Sequence, residues 1–157
     1  MFISPFVASP EPVIRRLLTL AELKPNETLY DLGAGDGKAI IMAAQEFGAN
    51  AIGVELRDDL AKQALKRIDD LGLEGKVKLI HEDMFKIDLR AADVIYLYLT
   101  TSANDKVKPK LESELKKGAR VVSHDYEIIG WKAEKVERFS ENPKMEFPTH
   151  TLYLYKR

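Results

Sequence analysis

Leu29-Tyr30-Asp31-Leu32-Gly33-Ala34-Gly35-Asp36-Gly37 is the stretch that decides the fold. A short strand, Thr28 to Leu32, runs into a loop over 33–37 with glycine at every second position, and Lys38 to Phe47 then resumes helical spacing up to Gly48. Glycine permits the sharp turn and leaves bare main chain for a ligand to approach. The unit then recurs. A strand Ala51 to Glu55 leads to a helix Asp58 to Leu71, and Val77 to His81 forms a third strand. Such alternation predicts helices crossing between parallel strands.

Upstream, Glu11 to Leu23 has helical apolar spacing, with Ser9 as N-cap and Pro10 at the first helical position. Downstream, Ala92 to Leu99 is a fourth strand, Ala103 to Lys117 a fourth helix stopped by Gly118, and Arg120 to Ser123 a fifth strand. Lys132 to Phe139 and Thr149 to Tyr155 are joined by the turn-rich Glu141-Asn142-Pro143, which is too short for a crossover helix and predicts an antiparallel hairpin at the sheet edge. The expected architecture is α/β: one Rossmann-like, doubly wound, seven-stranded sheet, mostly parallel, spanning 1–157 as a single domain, with ligands at the carboxyl ends of the strands.

Composition narrows the function. The chain has 157 residues, 24 basic against 25 acidic, and no cysteine. Disulfides, thiolate nucleophiles and cysteine metal sites are thereby excluded. The near-neutral balance gives no broad footprint for nucleic acid. The row Lys106, Lys108, Lys110, Lys116 and Lys117 reads as a solvated helix face. Without a transmembrane-length apolar run or a secretion signal, the expected compartment is the cytoplasm and the expected state a monomer away from membranes. Charge-rich, Lys-biased composition with few Asn and Gln is a bias shared with thermophile proteins.

Three acidic residues at strand ends carry the chemistry. Glu55, twenty residues after Gly35, stands where a carboxylate accepts ribose hydroxyls. The spacing is GxGxG rather than GxGxxG, and Asp36 would set a negative charge beside a pyrophosphate, which disfavours a dinucleotide. Asp31 suits a ligand bearing an ammonium group. Asp83, followed by Met84 and Phe85, could accept from an adenine amino group while its neighbours flank the ring. His81, His124 and His150 read as strand-end or surface residues, since two of them would have to converge from distant strands, and no metal site is expected.

Together these motifs resemble the class I, seven-strand methyltransferases that use S-adenosylmethionine, over Leu29 to Tyr155. Pro5-Phe6-Val7-Ala8-Ser9-Pro10, Asp93 to Leu99, and Val121-Val122-Ser123-His124 with Gly130-Trp131 are most similar to the small archaeal protein-lysine methyltransferases of broad specificity. Ala8 stands where that family's tail usually carries proline. The resemblance implies a cofactor site of Asp31, Gly33, Ala34, Gly35, Glu55, Leu56, Asp83 and Met84, with Phe6, Val7 and Ser9 from a tail, 1–10, folded over it. It further implies a lysine channel of Phe6, Tyr98, Tyr126 and Trp131, with Tyr98 as the catalytic residue, and protein substrates with accessible lysines, its own included. Lysine, of pKa about 10.4, must lose its proton first. An apolar channel beside a sulfonium favours the neutral amine, so no dedicated strong base is required. Tyr98-Leu99-Thr100-Thr101 replaces the Asn-Pro-Pro-Tyr box of enzymes acting on nucleobases or amides. RNA, a small metabolite, or mere binding of an adenosine ligand are the alternatives.

Overall fold

Among the described residues, seven strands and four α-helices follow one another as α1 (Glu11–Leu20), β1 (Thr28–Leu32), α2 (Lys38–Phe47), β2 (Asn50–Val54), α3 (Asp58–Asp70), β3 (Val77–Ile80), β4 (Val94–Leu97), α4 (Thr101–Glu114), β5 (Arg120–His124), β6 (Lys135–Phe139) and β7 (His150–Lys156). They are seen in a computed structural model that describes residues 7–144 and 147–157. The strands form one sheet in the order β3-β2-β1-β4-β5-β7-β6. The first five are parallel, while β7 pairs antiparallel with both β5 and β6. The terminal hairpin is therefore present, but its second strand lies inside the sheet and β6 is the edge.

The two faces have separate cores. Val13, Ile14, Leu17 and Leu18 of α1 and Ile40 and Ala43 of α2 pack on Leu29, Ala51, Tyr96, Val122 and Leu152. On the opposite face, Val107 and Leu111 of α4 pack on Tyr30, Ile95, Leu97, Val121 and Tyr155. Strand side chains alternate between faces, so β4 reads Ile95 to one core, Tyr96 to the other and Leu97 to the first again. Among the described residues no helix is long and apolar enough to cross a membrane.

Helices α1 and α4 depart from their expected limits for identifiable reasons. Pro10 itself is the N-cap of α1 and no side chain caps it, because the Ser9 hydroxyl is engaged elsewhere. Helix α4 starts at Thr101, where the Thr100 hydroxyl accepts the Ala103 N–H, and ends at Glu114 as Leu115 turns extended. Pro109, which has no N–H to donate, lies within it.

The turn after β1 is seated by the next strand. The carbonyl of Val54 accepts both the Gly33 and Ala34 N–H groups, at 2.8 and 2.9 Å. Gly33 has φ +94°, a conformation that side chains disfavour. Gly53 of β2 meets a steric requirement instead: a Cβ there would lie 2.7 Å from Ala34 Cβ and 2.8 Å from Ile40 Cδ1. Both glycines are what lets the loop sink onto the sheet.

Candidate functional site

Pleating decides which side chains meet at the carboxyl edge. Leu29, Tyr96, Val122 and Leu152 share the α1/α2 core, so Asp31, Tyr98, His124 and His150, each two positions along, lie on that same side. Asp31 is 4% exposed. It borders a recess of about 40 Å³ with Val7, Ala8, Ser9, Tyr96 and Tyr98. Burial first, then the nearby charges of Glu55 and Asp36, push its carboxyl up to about 8. A carboxyl so destabilised as an anion, with acidic groups as the neighbours that shift it, is arranged to receive a cation.

Glu55 is tied into the glycine loop. Its Oε1 accepts the Gly35 N–H at 2.7 Å and its Oε2 the Arg57 N–H at 2.9 Å. Each carboxylate oxygen accepts more than one hydrogen bond, so two ribose hydroxyls remain within its capacity. A cleft of about 450 Å³ opens over it, walled by Val7, Gly33, Leu60, Tyr98, Thr100 and Tyr126. A second, of about 320 Å³, continues across Gly33, Glu55 and Leu99 to Leu56, Asp83, Met84 and Phe85. Asp83 Oδ1 accepts the Phe85 N–H at 2.9 Å and so opens a single 3-10 turn, Met84–Lys86. Three carboxylates thus border adjoining spaces, all lined by Gly33, at the ends of β1, β2 and β3. Asp31, Gly33, Ala34, Glu55, Leu56, Asp83 and Met84 all border these spaces, as do Val7 and Ser9 of the tail. Gly35 contributes its N–H to Glu55. Phe6 lies outside the described residues.

Of the expected channel, Tyr98 and Tyr126 are brought together, stacked with ring centroids 6.4 Å apart. Burial, then the charge of Asp125, raises the Tyr98 phenol above its ordinary range. Trp131 is not part of this wall. Its ring meets Tyr155 edge-on at 5.7 Å, carries the Arg157 guanidinium at 4.8 Å and donates its N–H to Glu112 at 3.3 Å. The reason is again alternation, since Tyr155 belongs to the α4 core on the far face.

The histidines overturn the expectation that they stay apart. Strands β5 and β7 are antiparallel with His124 opposite Leu152, which brings His150 beside His124. His124 Nε2 and His150 Nδ1 are 2.8 Å apart, Ser9 Oγ is 2.8 Å from His124 Nδ1, and the Tyr96 hydroxyl donates to Ser9 at 2.7 Å. His124 has no exposed surface and lies under Tyr98 with ring centroids 4.0 Å apart. Burial pushes its imidazole down to about 4, so it is neutral. His81 instead contacts the Leu56 carbonyl at 3.0 Å. Asn104, unremarked in the sequence, is fully buried in α4 and donates to the carbonyls of Tyr126 and Glu127 at 3.1 and 3.3 Å, which fixes that wall of the cleft.

The chain's relatives can be set beside this geometry. The ANTKMT methyltransferase domain family matches residues 31–135. A protein-lysine N-methyltransferase of Saccharolobus islandicus (strain REY15A) is 41% identical over 152 residues, covering 96% of this chain and 92% of its own length. An adenine nucleotide translocase lysine N-methyltransferase of Mus musculus is 31% identical over 128 residues, 81% of this chain. The chain spans 55% of that mouse protein. Among solved structures, an RNA methyltransferase of Salinibacter ruber in complex with S-adenosyl-L-homocysteine superposes with a TM-score of 0.87 at 35% identity, covering 96% of this chain and 93% of that one.

Proposed function

The chain belongs to the ANTKMT methyltransferase domain family, and from that premise we propose that it methylates lysine side chains of proteins with S-adenosylmethionine as donor. When bound, that cofactor supplies an electrophilic methyl group. Asp31 receives the ammonium of its amino-acid end, Glu55 the ribose hydroxyls, and Asp83 with Met84 the adenine. Val7 and Ser9 border the groove where the tail would cover it.

The observation that carries the lysine assignment is the stacked pair Tyr98 and Tyr126, opening from the cofactor groove beside Thr100 and Ala103. Aromatic faces attract a cationic side chain, and an apolar slot then disfavours its ammonium form by desolvation. Tyr98, at the floor, orients the incoming amine. The 41% identical archaeal relative supports the same acceptor. That relative and the charge-rich composition also support an archaeal, thermophilic source. A cytoplasmic, monomeric enzyme of broad specificity, modifying accessible lysines including its own, is the rest of the proposal.

RNA is the second reading, favoured by the likeness to the RNA methyltransferase of Salinibacter ruber. Against it, three lysines of the row at 106–117 are already engaged within the chain. Lys108 donates to the Ile129 carbonyl at 2.8 Å, Lys110 pairs with Glu114 at 2.7 Å, and Lys116 pairs with Asp93 at 2.7 Å. Incubation of the chain with methyl-labelled cofactor, mixed protein and total RNA separates the two. Protease-sensitive label on lysines, mapped by mass spectrometry, is expected; label removed solely by nuclease would assign the acceptor to RNA.

A further inference from the structure

We propose that His124, Asp125 and His150 form a divalent-cation site of the zinc type, next to the methyl-transfer cleft and separate from it. One ligand atom from each of the three lies within 4.8 Å of the others. His124 Nε2 is 2.8 Å from His150 Nδ1 and 3.5 Å from Asp125 Oδ2, and His150 Nδ1 is 4.0 Å from Asp125 Oδ1. Two ligands on a tetrahedral zinc with bonds of about 2.0–2.1 Å stand about 3.3–3.4 Å apart, so the ring pair must open and the Asp125 carboxylate must close on His150 for the three, now within 4.8 Å, to bind one ion. Its entry replaces the hydrogen bond between the rings and widens that pair by roughly half an ångström.

Each ligand has a partner that holds it from behind. His124 Nδ1 faces the Ser9 hydroxyl at 2.8 Å, His150 Nε2 faces Glu141 Oε1 at 3.0 Å, and Asp125 Oδ1 accepts the Thr151 N–H at 3.0 Å. Hydroxyl or carboxylate partners on the distal ring nitrogen are what orient metal-binding histidines. Without the ion, Tyr96 donates to Ser9, Ser9 to His124 Nδ1, His124 Nε2–H to His150 Nδ1, and His150 Nε2–H to Glu141. With it, His150 keeps that tautomer. His124 moves its proton from Nε2 to Nδ1 and donates it to the Ser9 oxygen, and the Ser9 hydroxyl proton, given to Nδ1 without the ion, turns away from that nitrogen. Asp125 and His150 are partly exposed, so the ligand set reaches the surface on their side.

Such an ion would join the end of β5, the start of β7, the segment before α1 through Ser9 and the β6–β7 connection through Glu141. It would lie behind Tyr98, whose ring stacks on His124, and would stiffen the cleft wall without touching substrate.

The test uses the full chain stripped with chelator and titrated with Co(II) and with Zn(II). One equivalent of Co(II) should give the intense visible bands of a four-coordinate site, and Zn(II) should displace it and raise the melting temperature. Glu141→Gln should weaken Zn(II) binding about 10- to 100-fold by loosening His150. Asp125→Asn and His150→Ala should abolish the stoichiometric bands; both positions are partly exposed, so neither variant empties the core. Absence of saturable binding, a six-coordinate spectrum, or unchanged Zn(II) affinity in both ligand variants would overturn the proposal and leave a hydrogen-bonded histidine pair.

Discussion

Asp31 should make cofactor binding proton-linked. Its carboxyl is held near 8 in the ligand-free chain, so about one chain in ten has the anion ready at pH 7 and about one in a hundred at pH 6. A ligand that needs the anion loses affinity in proportion to that fraction. The dissociation constant for S-adenosylhomocysteine should therefore rise about tenfold from pH 7 to pH 6, with close to one proton released per ligand bound. Above pH 8 the ligand's own amine deprotonates, and the informative window lies below. Isothermal titration calorimetry in two buffers of different ionisation enthalpy measures both quantities. Asp31→Asn should bind weakly and without the slope. A dissociation constant flat within twofold over that unit, or no buffer dependence, would show that Asp31 is not the ammonium partner.

The same group predicts a cost to the empty fold. Because its folded pKa lies above the unfolded value of 3.8, its contribution to stability is full below pH 4 and declines as pH rises toward 8. At pH 7 the penalty relative to a neutral side chain is on the order of 4 kcal/mol. Ligand-free Asp31→Asn should accordingly melt several degrees higher than the parent at pH 7, and the difference should shrink at pH 4.5.

Other substitutions examine the neighbouring parts of the site. Gly53→Ala forces its Cβ against Ala34 and Ile40; overpacking of this kind costs about 1–3 kcal/mol, and displacement of the glycine loop should weaken cofactor binding more than tenfold, as read by urea denaturation and calorimetry. Tyr98→Ala should reduce lysine turnover at least a hundredfold while cofactor affinity changes little, whereas Tyr98→Phe, which keeps the stacked ring, should lose less than tenfold; equal losses would move the role from ring to hydroxyl. Trp131→Ala removes the contacts with Tyr155, Arg157 and Glu112 and should destabilise the chain by about 1–3 kcal/mol with unchanged turnover at 25 °C. A turnover defect in a folded Trp131→Ala chain would return that ring to the channel.

Local sequence sufficed wherever one strand end and the loop after it made the feature. Asp31, the glycine turn, Glu55 and Asp83 each sit at the edge of one βα unit, and register between parallel neighbours, such as Asp31 beside Gly53 and Tyr96, lines them up automatically. Gly53 was legible in principle, because a glycine inside a strand marks a close approach, but what approaches it is Ala34, nineteen residues earlier. The misplaced histidines and Trp131 depend on β7, which returns antiparallel between β5 and β6. That insertion sets His150 beside His124, and it sends Trp131 to the far face with Tyr155. A strand pairing over long separation has no local signature, and a one-residue change of register would exchange the two faces.

The same insertion explains how a chain with one α-helix, α4, on its second face can still build a wall for a second substrate. Strand β7 supplies Tyr155, whose hydroxyl accepts the Ile128 N–H at 2.8 Å, while Asn104 holds the carbonyls of Tyr126 and Glu127 from α4. The segment after β5 is thereby pinned from both sides by buried groups. Among the described residues Asn104 Oδ1 has no hydrogen-bond partner. Its amide holds the Tyr126 and Glu127 carbonyls, and so fixes Tyr126 against Tyr98, the stacked pair proposed to receive the incoming lysine.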